Sequence, residues 1–168
     1  IMVGFIYRIG KNLKNAKTGY WAALFWAFGF YSLMLALGVQ TNDHNDMAFA
    51  FYVTGPFWAL SEYARRPDWK YAVLIGLLAG GAVLNKWLTG LLVFGCWGML
   101  VLIQRNWRTS LRYYLHGALG GIVAVIIFLP WQLYIFSAFP KIAAYESAYN
   151  RKHIFEVVEG HGGSWDYY

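Results

Sequence analysis

Apolar residues along this chain run in long blocks rather than alternating, and short polar clusters separate the blocks. A helix that crosses a hydrocarbon core of about 30 Å needs roughly 20 mostly apolar residues. Ile1 to Ile9 reads as the tail of one span, Tyr20 to Val39 as a full span, and Met47 to Tyr63 as a second one, interrupted at Gly55-Pro56. Tyr71 to Leu84 and Leu88 to Ile103 form a closely spaced pair around Asn85-Lys86, and Tyr113 to Phe136 is long, with Pro130 near its end. The pattern predicts an all-α, polytopic integral membrane protein with about five spans plus a partial one. Residues 1–136 are the expected transmembrane helical region, and 137–168 an extracytoplasmic loop leading to a further span, with a helix from Lys141 to Val158.

The block Tyr71 to Leu84 is short for a full crossing at about 1.5 Å per residue. Either its helix ends below the outer surface or the pair is re-entrant, and both readings put Lys86 at or just under the headgroup level. Gly76-x-x-x-Gly80 and Gly117-x-x-x-Gly121 offer small faces for close helix contact, as weak motifs in a chain with 18 glycines.

Composition agrees with lipid as the solvent. Of 168 residues, 59% are hydrophobic and only 13% charged, too little polar surface for an ordinary soluble domain. The single cysteine, Cys96, rules out a disulfide framework and is expected as a small buried apolar filler. The net charge of +6 lies in scattered clusters without a continuous basic face, so nucleic acid is not an expected partner. No basic n-region of a signal peptide precedes the first apolar residues. The chain reads as a piece of a longer polytopic protein, starting within a helix.

Lys and Arg set the orientation. Arg8, Lys11, Lys14 and Lys17 occupy the first loop, Arg65, Arg66 and Lys70 the third, and Arg105, Arg108 and Arg112 the fifth. These alternate loops are cytoplasmic by the positive-inside rule. The other side then holds Asp43, His44, Asp46, Lys86 and everything after about Phe136, including Glu146, Glu156, Glu159 and Asp166. The protein is expected in the cell membrane as a multi-pass chain, its chemistry facing away from the cytoplasm.

Candidate chemistry begins between Val39 and Tyr52, where Asp43, His44 and Asp46 stand beside apolar segments. Charges next to a bilayer are costly unless they act as partners, ligands or reactants. Asp43 or Asn45 has a plain alternative role as an N-terminal helix cap. Asp46, directly before Met-Ala-Phe-Ala-Phe-Tyr, is placed to orient a nucleophile, hold a divalent metal or bind sugar hydroxyls. Lys86 either snorkels to the interface or meets a phosphate, and its place on the sparsely basic side favours the phosphate. His153 and Glu156 share a helix face, an imidazole and a carboxylate of the kind that suits zinc or manganese. Their spacing, with His161 and Glu159, matches no closed zinc signature, which favours solvated or substrate-contacting groups. His116 reads as an interface histidine near a cytoplasmic helix end. No Walker loop, dinucleotide fingerprint or nucleophile elbow is present, and no nucleotide cofactor is expected.

Four segments together resemble one family. Thr41-Asn-Asp-His-Asn-Asp-Met-Ala-Phe-Ala-Phe-Tyr52 resembles the second outer-loop aspartate motif of dolichyl-phosphate-mannose-protein mannosyltransferase-like enzymes, including the aminoarabinose transferases. Gly80-Gly-Ala-Val-Leu-Asn-Lys86 is similar to their Leu-Thr-Lys-Gly turn, with Trp87 in place of the glycine, and Phe128-Leu-Pro-Trp-Gln-Leu-Tyr134 to their Pro-Trp-Tyr helix end. Asn150-Arg-Lys-His-Ile-Phe155 and Glu159-Gly-His-Gly-Gly-Ser-Trp-Asp-Tyr-Tyr168 are similar to their Glu-His-x-x-Arg-Phe and His-x-Gly-Pro-Trp-Tyr-Tyr segment, without its arginine and proline.

The resemblance implies a GT-C membrane helix bundle and inverting transfer of a sugar from a polyprenyl-phosphate donor to a lipid, protein or glycan acceptor outside the cytoplasm. It gives Asp46, and less directly Asp43, the second outer-loop aspartate, and His153 the histidine of the acceptor or metal region. Lys86, His44 and His161 are expected to contact substrate, with a divalent ion near His153 and Glu156 as an optional cofactor. In the family the first outer loop carries the catalytic aspartate, and that loop precedes Ile1, so this piece alone is expected to be inactive. The competing expectation is a non-enzymatic membrane protein, a transporter or assembly subunit. A transporter would place ionisable groups near the bilayer midplane, whereas here they gather at the block boundaries.

Overall fold

The computed structural model describes residues 1–37 and 44–155, and among them it is helical without a strand. Two compact units divide the chain, Ile1–Phe128 and Leu129–Tyr168.

In the first unit, α1 (Met2–Leu13) and α2 (Ala16–Phe28) form a helical hairpin. Asn15 caps α2, its side chain accepting from the Thr18 backbone N–H at 2.9 Å. The hairpin closes tightly because two glycines face each other: a Cβ on Gly10 would stand 2.8 Å from the Gly19 Cα. The first cationic loop is therefore shorter than its sequence suggests, since Arg8 and Lys11 lie within α1 and Lys17 within the first turn of α2.

The expected span Tyr20 to Val39 is divided. After α2 the chain turns extended at Gly29, with φ −64° and ψ 134°, before α3 (Phe30–Leu37). The Ser32 hydroxyl reaches the carbonyls of both Trp26 and Gly29, adding to the backbone bonds those oxygens accept from Gly29 and Leu33. In contrast, α4 (His44–Arg65) runs through Gly55-Pro56 without the expected interruption. Pro56 is fully buried and Gly55 fits against Leu78 and Phe5, so packing compensates for the hydrogen bond that proline removes.

Next, α5 (Trp69–Lys86) ends in a 3-10 turn, Trp87–Leu91, that leads into α6 (Leu92–Ile103). The turn folds back on α5, where a Cβ on Gly90 would lie 2.6 Å from the Ala82 Cβ. The 18 residues of α5 span about 27 Å, longer than the apolar block alone. A short α7 (Arg105–Arg108) precedes the 28-residue α8 (Leu111–Ala138).

Pair contacts give the helix directions. Phe5 stacks on Trp58 at 4.5 Å, Arg8 Nε meets Glu62 Oε1 at 2.6 Å, and Arg65 donates to Asn12 Oδ1 at 2.9 Å, so α1 and α4 run parallel. Gly55 against Leu78, Tyr52 against Gly81 and Asp46 with Lys86 make α4 and α5 antiparallel. Gly76 lies against Gly120 and Val123, and Gly80 against Ala124 and Ile127, so α5 and the start of α8 run parallel. The first small face acts as the sequence suggests. The second does not: Gly117 meets Trp97 and Gly120 meets Ala72, whereas nothing lies within 4 Å of a Cβ on Gly121.

The buried core joins Ala59, Tyr63, Ala72, Ile75, Val93, Trp97, Val101 and Trp107. His116 joins α8 to this core, its Nδ1 lying 2.8 Å from the Tyr63 hydroxyl. The expectation for Cys96 is corrected: it is exposed, because α6 turns Val93 and Trp97 inward. An apolar residue facing lipid needs no burial. Large exposed side chains such as Phe25, Phe28, Tyr31 and Ile103 make an outer surface unsuited to water. Among the described residues one helix, Leu111–Ala138, is both long and apolar enough to cross a membrane, and Leu88–Ile103 is apolar but shorter.

The second unit holds the end of α8 and α9 (Pro140–Phe155), close to the helix expected from Lys141 onward. Pro140 occupies the first helical position, where its missing N–H costs no intrahelical bond.

One polar network fastens α1 to α4. The Glu62 carboxylate is buried and accepts from Arg8 and, at 3.2 Å, from the Trp58 indole, while Asn12 donates to Ser61 Oγ at 3.0 Å. Removing Arg8 strands a buried carboxylate. Arg8 is itself 45% exposed, so the cost of Arg8→Ala falls below that of a fully buried pair, at about 2–3 kcal/mol. Thermal unfolding of the full-length protein in detergent should show this loss, and adding Glu62→Gln should restore much of it. An unchanged Tm in Arg8→Ala would remove the network from the stability account.

Candidate functional site

The ends of α4 differ in chemistry. Arg65, Glu62 and their partners stand at its C-terminal end, and Asp46 in its first turn at the other, about 28 Å away from Arg65 along the axis. Because α5 is antiparallel to α4, its last residue returns to the Asp46 end. That residue is Lys86.

Lys86 Nζ and Asp46 Oδ1 form an ion pair between groups 40 positions apart in the sequence. Each charge also occupies the helix end that favours it, the carboxylate at an N-terminus and the ammonium at a C-terminus. Lys86 leaves helical geometry, with φ −142° and ψ 45°, where α5 gives way to the 3-10 turn. Its side chain is 43% exposed and that of Asp46 28%, so both charges remain open to a ligand. A pair this open contributes no more than about 1 kcal/mol to stability. Fold stability alone is a weak reason for its presence.

Two neighbours complete this end. The Tyr52 ring lies on Gly81, where a Cβ would come within 2.6 Å of it, so glycine permits the close approach that aligns the pair. Asn85 Oδ1 is buried without a hydrogen-bond partner among the described residues. Sequence reading treated Asn85 only as part of a turn and passed over Tyr52. A cavity of about 410 Å³ opens at the same end, lined by Met2, Trp26, Leu33, Met47 and Phe51 among others, and its walls are almost wholly apolar.

The structure does not describe the side chains of the remaining expected site residues. Asp43, Glu156 and His161 lie outside the described residues, as do the side chains of His44 and His153. His44 opens α4 and His153 falls in α9 of the second unit. Among the described residues no group of three or more His, Cys, Asp or Glu side chains could hold a metal ion.

The profile of the dolichyl-phosphate-mannose-protein mannosyltransferase family matches residues 1–134. The chain belongs to this family. That match includes Asp46, Lys86 and every element of the first unit. The chain is also 32% identical over 136 residues to an undecaprenyl phosphate-alpha-4-amino-4-deoxy-L-arabinose arabinosyl transferase of Pseudomonas paraeruginosa (strain DSM 24068 / PA7). It is 31% identical over 136 residues to the protein so named in Pseudomonas aeruginosa (strain UCBPP-PA14). Each alignment covers 76% of this chain and 23% of the relative, so the chain spans about a quarter of the length of the relatives it matches. No solved structure matches. Asp46 and Lys86 both fall within the matched residues, and the structure shows that the two meet.

Proposed function

We propose that this chain is part of a polytopic membrane glycosyltransferase that moves a sugar from a polyprenyl-phosphate donor to an acceptor on the extracytoplasmic side, with Asp46 and Lys86 at the reaction centre. The observation that carries this reading is their ion pair, which two separate motifs build at the sparsely basic end of the bundle. In the transfer an acceptor hydroxyl attacks the anomeric carbon and gives up its proton to a carboxylate base or to water, the bond from that carbon to the phosphate oxygen breaks, and the polyprenyl phosphate leaves with the electron pair. Lys86 supplies a cation where that negative charge develops. As its ammonium turns to the phosphate, the Asp46 carboxylate is released to accept a hydrogen bond from a sugar or acceptor hydroxyl. The apolar cavity beside Met47 and Phe51 suits the prenyl part of such a donor.

The test uses the full-length protein in proteoliposomes with a radiolabelled polyprenyl-phosphate sugar. Release of polyprenyl phosphate with transfer of label to an acceptor fraction is the expected result. Solute flux with no donor turnover would overturn the reading in favour of a transporter.

A further inference from the structure

The basic end of the first unit carries a second feature, independent of the reaction centre. Phe94, Trp97, Gly98, Val101 and Leu102 of α6 face Tyr113, Tyr114 and Gly117 of α8 across a groove of about 360 Å³. Both sides are held in place. Tyr113 stacks on the buried Trp107 at 4.5 Å, and the Tyr114 hydroxyl donates to the Arg108 carbonyl at 3.1 Å. The groove is thus attached to α7, whose Arg105 and Arg108 side chains are exposed. Nothing lies within 4 Å of a Cβ on Gly98, so the groove is open there. On its wall beside Gly117, the buried Trp97 indole N–H has no acceptor among the described residues.

Two acids lie at this end, and both are engaged: Glu62 binds Arg8, and Asp68 accepts from the Lys70 backbone N–H at 3.0 Å. The cations of α7 are left without a carboxylate among the described residues. We infer that the groove binds one anionic phospholipid of the leaflet on the basic side, an acyl chain between α6 and α8 and the phosphate at Arg105 and Arg108. Three observations favour this occupant over a further helix. The groove-lining Tyr114 is bonded to the Arg108 carbonyl, which brings α7 to the groove; the Arg105 and Arg108 side chains are exposed; and neither has a carboxylate partner among the described residues, so an anionic headgroup complements them. The larger groove of about 570 Å³ lined by Leu91, Ile122, Val125 and Phe128 is apolar throughout, the surface a neighbouring helix would use.

The full-length protein should be assembled in nanodiscs of phosphatidylcholine, with and without phosphatidylglycerol, and its retained lipids counted by native mass spectrometry after transfer to detergent. Wild type is expected to retain phosphatidylglycerol selectively. The double variant R105Q/R108Q, altered only at exposed side chains, should lose that selectivity by about tenfold. G98L, which fills the groove where space is open, should lose retained lipid of either kind. Unchanged retention in R105Q/R108Q would overturn the assignment of an anionic lipid. Retention unaffected in G98L would overturn the groove as its site, as would a fall in Tm in both membranes without loss of lipid, which would show a helix of the protein filling the space.

Discussion

Asp46→Asn in the full-length protein is expected to slow sugar transfer by about 10²–10³-fold, the range seen when a single positioned catalytic group is removed. Its Tm should move little, because the Asp46–Lys86 pair is open to solvent on both sides and worth at most about 1 kcal/mol. That contrast separates a reactive role from a structural one. Lys86→Gln should raise the donor KM as well as lower kcat, since the ammonium meets phosphate in the bound donor and in the transition state alike. Lys86→Arg, which keeps the charge, should recover part of the KM effect. Because the two residues act through each other, the double variant should be no slower than the slower single one. Multiplicative losses would show that the pair does not act as a unit. Wild-type turnover in Asp46→Asn would remove that residue from the site.

The fold was legible in the sequence where a signal was local. Blocks of apolar residues announced α4, α5, α6 and α8, and Pro140 marked the start of α9. Two boundaries were misread, the first because packing overrode local propensity. Gly55-Pro56 reads as a break, yet Pro56 is buried and α4 continues. Gly29 sits unremarked inside an apolar run, yet the chain turns extended there, with the Ser32 hydroxyl beside the Trp26 and Gly29 carbonyls. At the site, Asp46 and Lys86 stood out as charges among apolar neighbours, and the antiparallel path of α4 and α5 made them partners. Their meeting depends on helix register, set by contacts such as Tyr52 on Gly81 that no short motif records. No local signal marks Glu62; its burial with Arg8 and Trp58 is a property of three helix positions seen together.

The largest stability loss is expected at the seam between α5 and α8. A Cβ on Gly76 would overlap the Gly120 carbonyl oxygen and come within 2.7 Å of the Val123 Cβ; one on Gly80 would lie 2.7 Å from the Ile127 Cβ and 2.9 Å from the Ala124 carbonyl. Backbone oxygens and β-carbons cannot swing aside as a side-chain tip can, so relief requires the helices to separate. Overpacking of this kind costs about 1–3 kcal/mol at one site. Gly76→Ala with Gly80→Ala should therefore lower the Tm sharply, and in size-exclusion chromatography much of the protein should leave the monodisperse peak. The loss need not equal the sum of the singles, because one separation of the helices relieves both clashes. Gly120→Ala and Gly121→Ala make the sharper comparison, one residue apart in the same helix. At 120 the new carbon would meet the Ala72 carbonyl at 2.9 Å, whereas at 121 it meets nothing within 4 Å. Gly120→Ala should destabilise, and Gly121→Ala should be neutral or stabilising by up to about 1 kcal/mol through helix propensity. The reverse order would place the α5–α8 contact on the Gly117-x-x-x-Gly121 stripe that the motif alone suggests, rotated about 100° around α8 from Gly120.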